Sequence, residues 1–475
     1  MTITEALPRV AAPAEVRWSA RLWGVLAVLC TVLFLDGLDV SMVGVALPSI
    51  GTELGLSTTS LQWIVNGYVL GYGGLLLLGG RTADLLGRRR VFLAALAVFT
   101  VASLVGGLVD DGGLLIATRF VKGLAAAFTA PTAMSILTTT FAEGPARNRA
   151  LSIFTVFGAS GYSSGLILGG LLTSLGWRWN FLVPVPLAIG ALVGGAFLIA
   201  RDKPAATGGH DLAGALTLIS GMLVAVYSVV SAPARGWLDP VTISLFLLAI
   251  ALLGAFVAIE NRVRHPLVRL GILRIGSIVR ANASMIALMG SYVSFQFMMT
   301  LYLQDVLHWA PLRMAFALLP AGLVVAFGSP FVGKLITRYG TAPLIVTAMV
   351  SLSLGYVWFL ATAGTQPHYL VTVLPTMLLL GGGFGFGFSS VMAQATDGIP
   401  DSEQGLASGL VQSSGQVGTA LVLAVVTALV STNAGAATDF GQFHPGLNLV
   451  TGVAVVGLLL NAIPLVAQVA RTRSA

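Results

Sequence analysis

Gly80-Arg81-Thr82-Ala83-Asp84-Leu85-Leu86-Gly87-Arg88-Arg89-Arg90 lies between two long apolar runs, and nowhere else in the chain are so many charges crowded together. A chain that crosses a bilayer keeps clustered arginines in a short turn on its cytoplasmic side, where positive charge is retained. Gly80 and Gly87, seven apart, let a tight loop bend without a Cβ penalty. The stretch therefore reads as a short inner loop joining two membrane spans.

Composition agrees. Of 475 residues 56% are hydrophobic and 9% are charged, with a mean hydropathy of +0.92, whereas soluble domains carry about 25% charged residues. Apolar runs long enough to cross roughly 30 Å of hydrocarbon recur from Leu22 onward. The single cysteine, Cys30, leaves no disulfide framework and no cysteine metal site to expect. Polar residues precede the first span and no small-residue cleavage pattern follows it, so the N-terminal helix is expected to stay uncleaved. The net charge of +7 is an orientation signal, and nucleic acid is not an expected partner.

Fourteen hydrophobic segments follow one another, which makes the chain an all-α integral membrane protein. An even number of spans puts both termini on one side. The alternate loops on that side hold 20 of the 25 basic residues, so the termini are expected in the cytoplasm. The excess of 22 Arg over 3 Lys, with abundant Ala and Gly, suggests a GC-rich bacterial genome, hence a multi-pass protein of a bacterial plasma membrane. Gly333-Lys334-Leu335-Ile336-Thr337-Arg338-Tyr339-Gly340 repeats the glycine–basic opening and the seven-residue glycine spacing of the first loop. It also follows the second span of a six-span block, the one beginning near Val279. The expected organisation is a tail over 1–20, a six-helix bundle over 21–205, two inserted spans over 206–270 and a second six-helix bundle over 271–475. Two such halves can rock about a central site.

Further stretches resemble the fourteen-span drug:proton antiporter branch of the major facilitator superfamily. Gly80 to Arg90 resembles the family's motif A. Leu38-Asp39-Val40-Ser41-Met42-Val43-Gly44-Val45-Ala46-Leu47-Pro48 is similar to the branch's first-span motif, with Gly44 where Asn is usual. Gln62-Trp63-Ile64-Val65-Asn66-Gly67-Tyr68 is similar to the start of its second span. Arg119-Phe120-Val121-Lys122-Gly123 resembles motif B, with Lys122 replacing the usual Gln. Gly161-Tyr162-Ser163-Ser164-Gly165-Leu166-Ile167-Leu168-Gly169-Gly170 resembles the fifth-span antiporter motif, with Leu166 replacing its proline. Trp177-Arg178-Trp179 and Tyr302-Leu303-Gln304-Asp305-Val306-Leu307 also fit. The resemblance implies the major facilitator fold and a monomeric exporter of amphipathic small molecules, driven by the proton gradient without a cofactor or metal.

Asp36 and Asp39 are the acidic residues that fall inside a predicted span, one helical turn apart. Matching depths on antiparallel spans pair Asp39 with Arg119 and Asp36 with Lys122. Such ion pairs either fasten two spans together or form a coupled titrating set. The family's roles for the matching Asp and Arg agree with the second, making Asp39 the first candidate proton carrier and Asp36 the second, with Arg119 and Lys122 as their counter-charges. Gly80, Arg81, Asp84, Gly87, Arg88 and Arg89 are expected to act as an ionic latch between conformations, or as an orientation anchor alone. Gly161, Gly165, Gly169 and Gly170 are placed for close helix contact. Phe34, Asn66, Tyr68, Tyr292, Gln296 and Met299 are the candidate lining of a substrate cavity.

A serine hydrolase needs a general base in reach, and His210, His265, His308, His368 and His444 all fall in loops or at span ends. Enzymatic function is not expected. A proton-coupled symporter or facilitator for a small metabolite is the alternative within transport.

Overall fold

The computed structural model describes residues 18–142, 145–201, 211–264, 266, 270–364, 367–397, 399, 401–433 and 440–474. The tail expected over 1–20 thus lies almost entirely outside them. Within the helices some side chains also lie outside, among them those of Gly80, Arg81 and Asp84.

The first half comprises α1 Ala20–Leu54, α2 Thr58–Leu86, α3 Arg88–Leu108, α4 Gly112–Thr140, α5 Pro145–Leu175, α6 Trp179–Leu182 and α7 Pro184–Leu198. Two helices follow, α8 Leu212–Arg235 and α9 Pro240–Glu260. The second half comprises α10 Gly276–Leu301, α11 Pro311–Tyr339, α12 Thr341–Thr362, α13 Leu374–Thr396, α14 Asp401–Asn433 and α15 His444–Ser474. Among the described residues no strand occurs. Among the described residues thirteen helical segments are long and apolar enough to cross a membrane. The 29-residue α2 is a further helix, at the place of the second expected span.

Local sequence sets the helix ends. Ser19, Ser57 and Asp111 stand before α1, α2 and α4, and their side chains accept from Leu22, Ser60 and Leu114 backbone N–H groups. These contacts satisfy donors that a helix start leaves free. The charged stretch behaves differently from the expected loop: α2 runs through Gly80 and Asp84 to Leu86, and Gly87 alone turns the chain into α3. Gly87 has φ +94°, and Gly340, which joins α11 to α12, has φ +81°. A side chain is strained there, so each half makes the same corner on one glycine.

α1 packs along α5 and α2 along α4, while α10 packs along α14 and α11 along α13. The two bundles meet along α2–α14 and along α5–α11. α8 rests on both α2 and α14, where Val69, Leu70, Met222, Val226, Ala420 and Ala424 form one apolar cluster. α9 packs chiefly on α8. Cys30 sits inside the first bundle at 2% exposure, in a cluster with Leu26, Leu29 and Phe154.

Candidate functional site

Asp39 is fully buried near the middle of the first bundle, and two cations converge on it. Arg119 Nη1 donates to one carboxylate oxygen and Lys122 Nζ to the other. Arg119 Nε also donates to the Ile64 carbonyl at 3.1 Å and its guanidinium lies over the Tyr68 ring. Lys122 Nζ donates to Ser103 Oγ at 3.1 Å and faces the rings of Phe99 and Phe181. The cluster ties α1, α3 and α4 together. The expected pairing of Asp39 with Arg119 is present, but Asp36 does not take Lys122. Lys122, at 0% exposure, is bonded to Asp39 on the bundle interior, while Asp36 turns to the wall of a central cavity and its buried Oδ2 has no hydrogen-bond partner among the described residues. The helix explains the split. Residues three apart are separated by about 60° around the axis, enough for one to face inward and the other the cavity.

The cavity, of about 1450 Å³, lies between the bundles. Its wall reaches the helix ends near Thr138, Asp211, Arg264, Met392 and Leu406, all on the side that carries the α2–α3 corner and the start of α1. At the other end it stops. Gln304 Nε2 donates 2.9 Å across the bundles to the Val45 carbonyl, and Val43, Val45, Leu47 and Ile50 join Leu303 and Met314 in one core. Beyond this plug Arg178 binds Glu53 and Asp110, and Trp177 Nε1 donates to Glu53 at 2.9 Å. These bonds, chiefly that to Glu53, raise the Arg178 guanidinium above the ordinary arginine range. Among the described residues the cavity thus extends to the basic end and is closed at the other.

Of the expected lining residues, Tyr68, Tyr292 and Gln296 line this cavity. Phe34, Asn66 and Met299 do not. The Phe34 backbone is pressed against Gly161. Asn66 is fully buried and donates to the Ala420 carbonyl at 3.4 Å, joining α2 to α14. Met299 lies in the core near the closed end, at 1% exposure. Sequence reading missed Tyr72, Phe384, Phe388 and Gln416, which do line the cavity. Phe384 and Phe388 are four apart in Gly381-Gly382-Gly383-Phe384-Gly385-Phe386-Gly387-Phe388, so the helical period already set both on one face.

Gly161, Gly165 and Gly169 seat α5 on α1. A Cβ on Gly165 would lie 2.7 Å from the Leu38 carbonyl oxygen, and one on Gly169 would lie 2.8 Å from Met42 Cα. Gly170 faces the other bundle instead, where a Cβ would come 2.9 Å from Leu312 Cα. At the basic end Arg89 donates to the Ala196 carbonyl at the end of α7, and Arg88 opens α3 beside Gly87. The expected latch residues Arg81 and Asp84, like Gly80, have side chains outside the described residues.

Residues 29–423 match the family model described as Major Facilitator Superfamily. The chain belongs to that superfamily. It is 36% identical over 470 residues to the puromycin resistance protein of Streptomyces alboniger, covering 95% of this chain and 91% of that one. It is 35% identical over 454 residues to the cephamycin export protein of Amycolatopsis lactamdurans, covering 94% and 93%. Solved structures share the fold. A nucleoside transporter, at 11% identity, superposes with a TM-score of 0.67 over 93% of this chain and 99% of that one. A transporter of the POT family, at 18%, gives 0.66 over 94% and 98%. This major facilitator protein is thus a multi-pass membrane transporter whose relatives include antibiotic resistance and export proteins.

Proposed function

We propose that the chain exports antibiotics or other amphipathic small molecules in exchange for protons, by alternating access across a bacterial plasma membrane with both termini in the cytoplasm. The observation that carries the reading is the buried set of two carboxylates and two cations beside the cavity. An anion held at 0% exposure is tolerable only while paired, so a proton arriving on Asp39 removes the reason for Arg119 and Lys122 to stay. Asp36 faces the cavity with one buried oxygen that has no hydrogen-bond partner among the described residues, where a proton or a cationic group on the substrate offsets the cost of its charge. Proton and substrate then act on neighbouring turns of α1. α1 also packs along α5 on the glycine stripe, so loosening its ties to α4 reaches the α5–α11 contact between bundles.

The corner around Gly87 belongs to the same reading as an ionic latch, with Asp84 and Arg88 changing partners as the basic end opens and closes. The names of the relatives support export as the direction, and the excess of basic residues on the side of the termini supports the orientation.

The test is purified protein in liposomes that hold puromycin or a cephamycin at equal concentration inside and out. An inward proton gradient should drive the drug out against its own gradient. If the proton gradient instead drives the drug along with it, the chain is a symporter. Movement that ignores the gradient makes it a facilitator.

A further inference from the structure

One wall of the cavity comes from α10 and α13 and is aromatic. Tyr292 lies 4.5 Å, ring to ring, from Phe384, and Phe384 stacks on Phe388 at 5.8 Å with 19° between planes. Tyr292 is nearly buried, at 4% exposure, whereas Phe384 and Phe388 are partly exposed to the cavity. One helical turn along α10 from Tyr292, whose hydroxyl it also bonds, Gln296 accepts at Oε1 from the hydroxyl of Tyr162 of α5. That bond crosses from one bundle to the other, and both its partners line the cavity.

We infer that this wall recognises a planar aromatic group whose edge carries a hydrogen-bond donor beside an acceptor, as in an aryl lactam or aryl carboxamide. The inference deepens the export reading and rests on it. A flat ring gains most against the Phe384 and Phe388 faces, where stacking adds to the area buried. A ring seated there brings its edge toward the Tyr162–Gln296 bond. To cover this pair, the edge replaces both halves of that bond, because a half-buried amide or phenol sealed under a ligand without a partner is costly. Gln296 Oε1 then needs a donor and the Tyr162 hydroxyl needs an acceptor. An adjacent N–H and C=O supply both at once. Seating the ligand also removes a tie between α5 and α10, so occupancy and release of the bundles are linked through one bond.

Quinolin-2(1H)-one and its N-methyl derivative are matched probes, alike in ring and carbonyl but differing in the N–H. Equilibrium dialysis of the full chain in detergent, against empty micelles, measures each. The parent should bind the wild-type chain about threefold to tenfold more tightly, the worth of one neutral hydrogen bond. Gln296→Leu should erase that ratio. Phe384→Leu should weaken both probes and leave the ratio standing. Equal binding of the two probes to the wild-type chain overturns the inference, and this comparison needs no variant to fold. A ratio that survives Gln296→Leu overturns it as well. The probe ratio is read without any gradient, so this inference and proton-driven export can fail separately.

Discussion

At the scale of single residues, the two aspartates of α1 predict opposite outcomes. Asp39 accepts from two buried cations, so Asp39→Asn leaves both without an anion and should cost about 3–5 kcal/mol, read as a lower unfolding temperature in detergent. Adding Lys122→Met removes one of the stranded charges and should restore part of that loss. A double variant whose losses simply add would show that the two do not interact. Asp36 has no hydrogen-bond partner on its buried oxygen among the described residues. Asp36→Asn should therefore leave the unfolding temperature unchanged or raise it, yet abolish proton-driven export. Retained export would take Asp36 out of the mechanism. Depth along antiparallel helices made the meeting of Asp39 and Arg119 legible. Which way Lys122 and Asp36 turn was not, because rotation of one helix against its neighbours is set by packing between segments distant in sequence. The same gap misplaced Phe34, Asn66 and Met299. Each sits at a depth that fits a lining residue but faces a neighbouring helix or the closed end.

At the scale of elements, glycine spacing carried more than composition. The period of four in Gly161, Gly165 and Gly169 already marked one face of α5, and that face lies on α1 within van der Waals distance of the Leu38 and Met42 backbone. Gly165→Ala should push the helices apart and destabilise the protein by about 1–3 kcal/mol, measured by thermal unfolding in detergent. Normal stability would mean the stripe tolerates a wider spacing. Gly87→Ala tests the corner, since φ +94° is unfavourable for a side chain. A cost of about 1–2 kcal/mol is expected, and the same substitution at Gly80, which is helical, should be mild. The apolar runs located, among the described residues, thirteen helical segments long and apolar enough to cross a membrane, and a further helix, α2, at the second expected place. They misjudged where α2 ends, because the arginines and Asp84 looked like loop residues although nothing in them forbids a helix. Gly87 was the stop signal.

At the scale of the molecule, the plug between α1 and the end of α10 decides which side is open. Gln304 reaches the Val45 carbonyl from the opposite bundle, a contact of a kind that exists only while that end is closed. Gln304→Leu removes it and should shift the population toward the other state by about threefold to tenfold, the share of one neutral hydrogen bond. Spin labels at 53 and 308, on opposite bundles at the closed end, should report a larger share of long distances in the variant. An unchanged distance distribution would show that apolar packing alone holds the plug. The internal repeat made the two halves legible from the chain alone. The seat of the inserted pair did not follow from it. α8 lies over the α2–α14 seam and leaves the α5–α11 seam without such cover, a choice made by complementary apolar surfaces that no single segment displays.

Cys30 gives these measurements an unusual convenience. It is the sole thiol in the sequence, and the first bundle closes over it at 2% exposure. A maleimide or methanethiosulfonate reagent that stays in water should therefore pass the native chain by. The wild-type protein is its own blank for cysteine labelling, and a thiol introduced at 53 or 308 can be chased with isotope, fluorophore or nitroxide without first rebuilding the core around α1.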